Sequence, residues 1–231
     1  MENTEQTRTD LSFSFDFNKQ APVMCRVFPK KNIFAAILLS GFSSIAPPGA
    51  AYASQEVRTI EMIYAQLSNV ISQIAESDRN SDMNYVGTGI TESLKIINRQ
   101  LWDVSRLTGQ GLYASGVVFY AVNERYLLFP FGGAAAYSVA ANRLIRQGTL
   151  DSNDNLIYDA LGGNISWQGQ CWNGNFPKGS KMLLLSEPIF DLQTALAKIQ
   201  AEDSDQANTT AMRIRQSQTR CPDAIIEISN D

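Results

Sequence analysis

Four carboxylates lie close to apolar segments of the sequence and are the first candidates for chemistry. They are Glu92, Asp103, Glu124 and Asp159. A pair of carboxylates in one cleft, one protonated and the other ionised, can hydrolyse a glycosidic bond. Nothing in the sequence pairs these four, and acids of this kind are mostly exposed on helix faces and turns. We therefore assign no catalytic residue and keep a carboxylate-pair hydrolase of the cell envelope as an alternative function.

The absence of histidine narrows the chemistry further. None of the 231 residues is a histidine, which excludes nucleophiles activated by an imidazole and zinc sites with histidine ligands. The formal net charge is −4 and no basic patch stands out, so we expect no nucleic-acid partner. We predict no cofactor and no metal centre, apart from one calcium candidate.

That candidate spaces its oxygen atoms as the start of a calcium loop does. Its residues are Asp151, Asn153, Asn155 and Asp159. Leu156 occupies the position at which such a loop has glycine, and Gly162 stands where it has a bidentate glutamate. We therefore predict a solvated turn, with a weak calcium site as the alternative.

A basic flank, an apolar run and a small-x-small sequence follow one another near the amino terminus. They are Arg26, Lys30 and Lys31, then residues 33–46, then Ala51-Tyr52-Ala53. This order is typical of a secretory signal peptide. We predict that residues 24–53 are a signal peptide cleaved between Ala53 and Ser54, with an uncleaved amino-terminal anchor as the alternative. The cleaved protein would be periplasmic or, alternatively, extracellular.

Residues 1–23 are more acidic than the start of an export signal should be. The segment has four acids against Arg8 and Lys19. We therefore expect translation to begin at Met24, with residues 1–23 either untranslated or a disordered extension.

The three cysteines divide between the leader and the rest of the chain. Cys25 lies in the predicted signal peptide, which leaves Cys171 and Cys221. Two cysteines in an exported chain predict a disulfide. Closing this loop would stabilise the fold by about 4 kcal/mol in the chain-entropy model.

Residues 54–111 are predicted to form an antiparallel hairpin of two helices. Apolar residues recur every three or four positions from Glu56 to Glu76 and again after Thr91, which is the pattern of amphipathic helices. The hairpin would be half of a core or, alternatively, a coiled-coil-like arm through which the chain binds a partner or forms a homo-oligomer.

Residues 112–231 are predicted to form a small α+β domain. Residues 116–131 contain two apolar stretches around a polar turn, which predicts a buried strand hairpin, with a membrane-inserting hairpin as the alternative. Residues 134–147 are predicted to be a helix, and Ala224–Ser229 a terminal strand that Cys221 would tie down.

One short segment resembles a single MORN repeat. The matching residues are Trp167, Gly169, Cys171, Asn173, Gly174 and Gly179. The span from Gly174 to Gly179 is one residue longer than in that family, and Lys181 replaces the next expected glycine. The resemblance covers residues 167–185 and implies a β-hairpin turning at Asn173-Gly174. In that family the repeats serve as scaffolds.

Together these patterns predict an α+β fold with an amino-terminal helical hairpin, a small antiparallel sheet with packed helices, and one disulfide. The function predicted from them is an exported, non-enzymatic protein that binds a protein or a cell-envelope component. The alternatives are the envelope hydrolase and a protein held at the membrane by its leader or by residues 116–131. After cleavage of the leader we expect no membrane association.

Overall fold

The structure of the chain is a computed structural model that describes residues 11–17, 23–30, 33–43, 51–140, 143–147, 159–186 and 224–230. This part of the chain contains ten strands and two long helices. The strands are β1 (Leu11–Phe17), β2 (Val23–Lys30), β3 (Ile33–Ser43), β4 (Leu112–Val122), β5 (Arg125–Phe131), β6 (Ala135–Ala140), β7 (Arg143–Gln147), β8 (Trp172–Asn175), β9 (Ser180–Leu185) and β10 (Ala224–Asn230). The helices are α1 (Ala51–Glu76) and α2 (Met83–Thr108).

The strands form two five-stranded antiparallel sheets that pack face to face. Sheet I has the order β1-β10-β9-β6-β7, and sheet II has the order β2-β3-β4-β5-β8. Side chains from both sheets, among them Phe119 of sheet II and Ile226 of sheet I, form one buried cluster between them. The architecture is therefore a β-sandwich in which each sheet has an inner and an outer face.

Strand β3 lies inside sheet II and is buried on both faces. Residues Ile33 to Leu39 are at most 2% exposed. Because successive side chains of a strand point to opposite faces, Phe34, Ala36 and Leu38 join the cluster between the sheets, whereas Ile33, Ala35, Ile37 and Leu39 join a second cluster under the helices. A strand buried on both faces has a continuous apolar sequence instead of an alternating one.

The two helices cover the outer face of sheet II. Their apolar stripes, which include Ile63 and Leu67 of α1 and Ile90 and Leu94 of α2, pack on β3 and β4. Asp82 caps α2 by accepting hydrogen bonds from the backbone of Asn84 and Tyr85. The helices are thus held to the sheet by burial of their stripes, as in other amphipathic surface helices.

A buried tyrosine anchors the turn between the helices. The Tyr120 hydroxyl on β4 donates a 2.9 Å hydrogen bond to the carbonyl oxygen of Asn80. Burial raises the pKa of Tyr120 far above its ordinary value, so this hydroxyl stays protonated and remains a donor. The turn therefore lies over the end of β4 that leads into the β4–β5 hairpin.

The outer face of sheet I also carries buried side chains. Tyr137, Leu183 and Ile225 are at most 1% exposed and belong to a third apolar cluster. On the same face the Lys181 ammonium and the Glu227 carboxylate form an ion pair, with 3.0 Å between Nζ and Oε1. Both sheets are therefore covered on both faces along their central strands.

The predicted fold class is wrong. The helical segments predicted from the periodicity are present, but three strands precede them and both helices pack on sheet II, so they are not an amino-terminal hairpin beside a separate small domain. The antiparallel strands form two five-stranded sheets, not the single small sheet that was predicted.

Ala135–Ala140 and Arg143–Gln147 are strands β6 and β7, so residues 134–147 are not the predicted helix. Strand β6 pairs with β9 on one edge and with β7 on the other, so pairing with neighbours overrides the helix-favouring alanines of this segment. The hairpin predicted in residues 116–131 is present as β4 and β5, which turn at Asn123 with a φ of 54°. It lies within the sandwich, and none of the described helices is long and apolar enough to cross a membrane.

The apolar run predicted to be the core of a signal peptide is the buried strand β3. Strand β1 falls within residues 1–23, which we expected to be untranslated or disordered, and pairs with β10 along its whole length. A chain that begins at Ser54 would lack β1, β2 and β3. The signal peptide and its cleavage after Ala53 stay predictions. Export to the periplasm stays a prediction.

We expect a fragment that begins at Ser54 not to fold, because it exposes the faces of β4, α1 and α2 that β3 covers. Circular dichroism during urea titration should show a cooperative transition for the full chain and none for the fragment. A fragment that unfolds cooperatively with the same midpoint as the full chain would support the signal-peptide prediction.

Candidate functional site at the common end of the two sheets

One end of the sandwich brings together strand ends from both sheets. A tight turn at Gly132 to Ala134 joins β5 to β6, so the end of sheet II meets the start of β6 in sheet I. In sheet II Ser40 pairs with Ser115, and in sheet I Ala135 pairs with Leu185, the residue before Ser186. We call this end the rim and define it by Ser40, Gly41, Ser115, Gly132 and Ser186.

The three rim serines lie on the inner faces of their strands. Side chains at every second position of a strand point to the same face. By this rule Ser40 lies on the same face as Leu38, Ser115 on the same face as Val117, and Ser186 on the same face as Leu184. Leu38, Val117 and Leu184 all belong to the cluster between the sheets. Ser115 and Ser186 are 6% and 3% exposed, and Ser40 is partly exposed. The backbone N–H of Ala224 donates a 3.0 Å hydrogen bond to the Ser186 hydroxyl. The rim therefore places hydroxyl groups from both sheets on the inner faces near one end of the sandwich.

Glycine allows the segments at the rim to approach closely. Gly132 has a φ of +62°, and a Cβ atom there would lie 2.6 Å from the Cβ of Ser115, which no larger residue could accommodate without movement. A Cβ at Gly41 would lie 2.9 Å from the carbonyl oxygen of Glu56. The first turns of α1 therefore lie directly over the end of β3.

A loop at residues 159–167 is fastened next to the rim by backbone hydrogen bonds. The Gly132 N–H donates to the carbonyl oxygen of Asp159 at 2.9 Å, and Ala114 and Leu161 exchange two hydrogen bonds. The Trp167 indole N–H also donates to the carbonyl oxygen of Asp159, at 2.9 Å. These bonds make the loop an extension of the sheet end.

A buried asparagine ties the same loop to α2. Asn98 is 2% exposed; its side-chain oxygen accepts a 2.8 Å hydrogen bond from the Gly162 N–H, and its side-chain nitrogen donates to the Asn164 carbonyl oxygen at 2.9 Å. Gly162 has a φ of +86° and lies against the backbone of Leu112. Asn98 is thus a positioning residue for the loop beside the rim.

The four candidate acids do not form a catalytic pair. Glu92 is ion-paired with Lys95 at 2.8 Å on an exposed face of α2, and Asp103 is exposed about 16 Å further along the same helix, by the rise of 1.5 Å per residue. Glu124 lies in the β4–β5 turn, at the opposite end of the sandwich from the rim. Asp159 alone lies beside the rim. Of the calcium candidates, Asp151, Asn153 and Asn155 fall outside the described residues.

Cys171 carries a free thiol, so the predicted disulfide is not formed. Cys221 lies outside the described residues. The Cys171 sulfur lies against α2, where a Cβ on Gly87 would be 3.7 Å away. Burial against this helix raises the pKa of the thiol above its ordinary value of 9.0.

The hairpin implied by the resemblance to a MORN repeat is also not formed. Asn173 and Gly174 lie within β8 and pair with Leu127 and Tyr126 of β5, whereas β9 belongs to the other sheet. The Gly174 position is close to Tyr126, whose ring a Cβ would approach to 2.7 Å. The glycine therefore serves close packing in a strand instead of a turn.

The rim and the role of Asn98 were not among the features predicted from the sequence. Two Ser-Gly pairs, Ser40-Gly41 and Ser115-Gly116, follow and precede long apolar runs. Such pairs could have marked strand ends in close contact, since glycine in a strand often indicates the close approach of another backbone. No sequence pattern indicates that Asn98 reaches a loop 64 residues away.

Several solved structures share the whole arrangement. The Streptococcus agalactiae serine/threonine phosphatase superposes with a TM-score of 0.72 at 11% identity, over 96% of this chain and 99% of that one. The fold is that of serine/threonine phosphatases. The catalytic domain of PstP in complex with two manganese ions gives a TM-score of 0.61 at 12% identity, over 95% and 97% of the two chains. PppA, a regulatory component of a secretion system in Pseudomonas aeruginosa, gives 0.64 at 11% identity, over 96% and 98%.

No protein-family model matches the sequence, and no curated protein is similar to it. At these identities the structural likeness establishes the fold. It also corrects the predicted function: the streptococcal and PstP structures are of serine/threonine phosphatases, which counts against a non-enzymatic binding protein and against a glycosidase-like hydrolase. The expectations of a coiled coil and of a disulfide are wrong as well.

The described residues do not fit a centre of two manganese ions. Manganese prefers carboxylate, carbonyl and water ligands, and a two-metal centre holds its ions about 3.5–4 Å apart. Nowhere in the described ranges do three or more acidic or cysteine side chains gather around one point. Glu56 and Asp159 are the described acids with backbone contacts to the rim, and the strand ends themselves present serine and glycine. We therefore derive no metal-dependent step.

Replacing Asn98 with alanine should lower the free energy of unfolding by about 1–3 kcal/mol, because the buried Gly162 N–H loses its acceptor. Urea denaturation measures this loss. Gln100→Ala, which removes only an exposed hydrogen bond to Gln66, is the control and should change stability by less than about 0.5 kcal/mol. Equal effects of the two substitutions would contradict the role given to Asn98.

The Cys171 thiol should alkylate slowly at neutral pH, since its raised pKa leaves little thiolate. In a Cys25→Ser, Cys221→Ser variant, the iodoacetamide reaction rate should rise with pH through a midpoint above 9.0. A midpoint below that value, or a wild-type protein whose Cys171 reacts only after reduction, would contradict this assignment.

Proposed function

We propose that this chain is an enzyme of the serine/threonine phosphatase type that acts on proteins phosphorylated at serine or threonine. The observation that carries the proposal is the extent of the likeness: 96% of this chain and 99% of the streptococcal phosphatase superpose. A match of this extent covers both sheets, both described helices and the rim. Fold alone does not imply function, so the proposal also needs a site that suits the substrate.

The rim supplies features that suit a phosphate ester. Its serines offer hydroxyl donors, and its glycines let α1 and the β5–β6 turn pack closely around them. The loop at residues 159–167 is fixed by Asn98 and by hydrogen bonds to β4 and Gly132, so the surroundings are rigid. Binding groups are commonly placed on loops that a rigid scaffold positions, and this end of the sandwich has that arrangement.

The test is release of inorganic phosphate from phosphoserine and phosphothreonine peptides by the purified full chain, with Mn²⁺ and with EDTA. We expect release above the rate without protein in at least one of the two conditions. Absence of release in both, with a serine/threonine phosphatase active in the same assay, would overturn the proposal.

A matched pair of glycine substitutions links the activity to the rim. Gly132→Ala and Gly179→Ala both place alanine at positive φ, +62° and +79°, but only the first creates a collision, with Ser115. Gly179 precedes the end of β9 that lies away from the rim. Phosphate release per folded molecule should fall roughly tenfold for Gly132→Ala, a change of about 1.4 kcal/mol in activation free energy, and stay unchanged for Gly179→Ala.

A further inference from the structure

Ser115 is a buried residue at the rim whose hydroxyl has no partner among the described residues. The residue is 6% exposed, and within the described ranges no hydrogen bond joins its hydroxyl to another residue. The hydroxyl oxygen itself is not one of the fully buried side-chain atoms without a partner, which in the described residues belong to Ser14, Ser68 and Trp172, so it is open to solvent. A hydroxyl that is accessible and has no described protein partner is free to donate a hydrogen bond to a ligand.

Ser40 lies directly across from Ser115 on the neighbouring strand. The two residues are paired in the antiparallel register of β3 and β4, which places their Cβ atoms about 4.5–5.5 Å apart on the same face. Ser40 is partly exposed, so this pair can be reached from solvent. Two hydroxyls at this separation can donate to two oxygen atoms of one tetrahedral anion.

We propose that the rim binds the phosphate group of a phosphoserine or phosphothreonine through the Ser40 and Ser115 hydroxyls, without a two-manganese centre. The inference rests on the proposed function for the substrate class. It departs from the neighbour that binds two manganese ions, because the described residues of the rim carry hydroxyls, whereas a centre of two manganese ions needs several carboxylate ligands. Hydroxyls donate hydrogen bonds to a phosphate, whereas carboxylates would repel it unless a cation lay between them.

The substitution Ser40→Asp gives opposite results for the two kinds of site. At a hydroxyl site it places a negative charge against the phosphate, so affinity for a phosphopeptide in EDTA should fall roughly tenfold or more. At a metal site it would add a carboxylate ligand and strengthen binding in the presence of Mn²⁺. Ser40→Thr keeps the hydroxyl and should retain the wild-type affinity within about twofold.

The experiment measures fluorescence anisotropy of a labelled phosphothreonine peptide and of its unphosphorylated form, with full-length protein in EDTA and in Mn²⁺. Ser72→Asp is the matched control, because it makes the same substitution at an exposed serine of α1. We expect phosphate-dependent binding in EDTA, loss in Ser40→Asp alone, and no upward shift of the melting temperature with Mn²⁺. Urea denaturation verifies that each variant is folded.

Three results would overturn the inference alone: phosphopeptide binding that requires Mn²⁺, binding that Ser40→Asp leaves unchanged, or a melting temperature raised by Mn²⁺. Equal binding of the two peptides overturns the phosphate specificity of the rim. If the wild-type protein neither binds nor hydrolyses any phosphopeptide, the proposed function fails together with the inference.

Discussion

The burial of β3 on both faces is the constraint on which the rest of the structure depends. Residues Ile33 to Leu39 are apolar without interruption and at most 2% exposed. One face of this strand needs the helices and the other needs sheet I, so neither layer can be removed without exposing it to water. Its principal partner, β4, follows about 80 residues later. The centre of the protein is therefore built from contacts that are distant in sequence.

The same arrangement gives the sandwich one end at which polar groups accumulate. Strands from both sheets come together there, and three of their inward-facing residues, Ser40, Ser115 and Ser186, are serines instead of apolar side chains. Glycines at residues 41 and 132 let α1 and the β5–β6 turn pack against these ends. The likeness to serine/threonine phosphatases concerns the scaffold. What this scaffold does depends on the side chains at its end, where this chain presents hydroxyls.

Local patterns led to correct elements where the elements themselves are local. The apolar residues of the two helices recur every three or four positions within each helix, so the pattern does not depend on distant segments. The β4–β5 hairpin likewise shows its polar turn at residues 123–124 between two apolar runs. The patterns failed where pairing is distant. Strand β6 is rich in alanine and is a strand because β9 and β7 lie on either side of it. Asn173-Gly174, a strong turn sequence, is held extended by pairing with β5.

The signal-peptide prediction for the β3 segment and the disulfide prediction have a common physical origin. An export signal and a strand covered on both faces both contain a continuous apolar run. The sequence therefore cannot distinguish the two unless the strands that pair with the run are known. The pairing of Cys171 and Cys221 depended on that interpretation, because it assumed an oxidising compartment.

The sequence by itself determined the two amphipathic helices, the β4–β5 hairpin and the exclusion of histidine chemistry, since these follow from composition and from periods within one segment. Only the tertiary structure decided that β3 is the core, that the sheets share one polar end with Ser40 and Ser115, and that Asn98 fixes the loop beside it. Those facts depend on which distant segments pair, and pairing is set by the burial of whole faces.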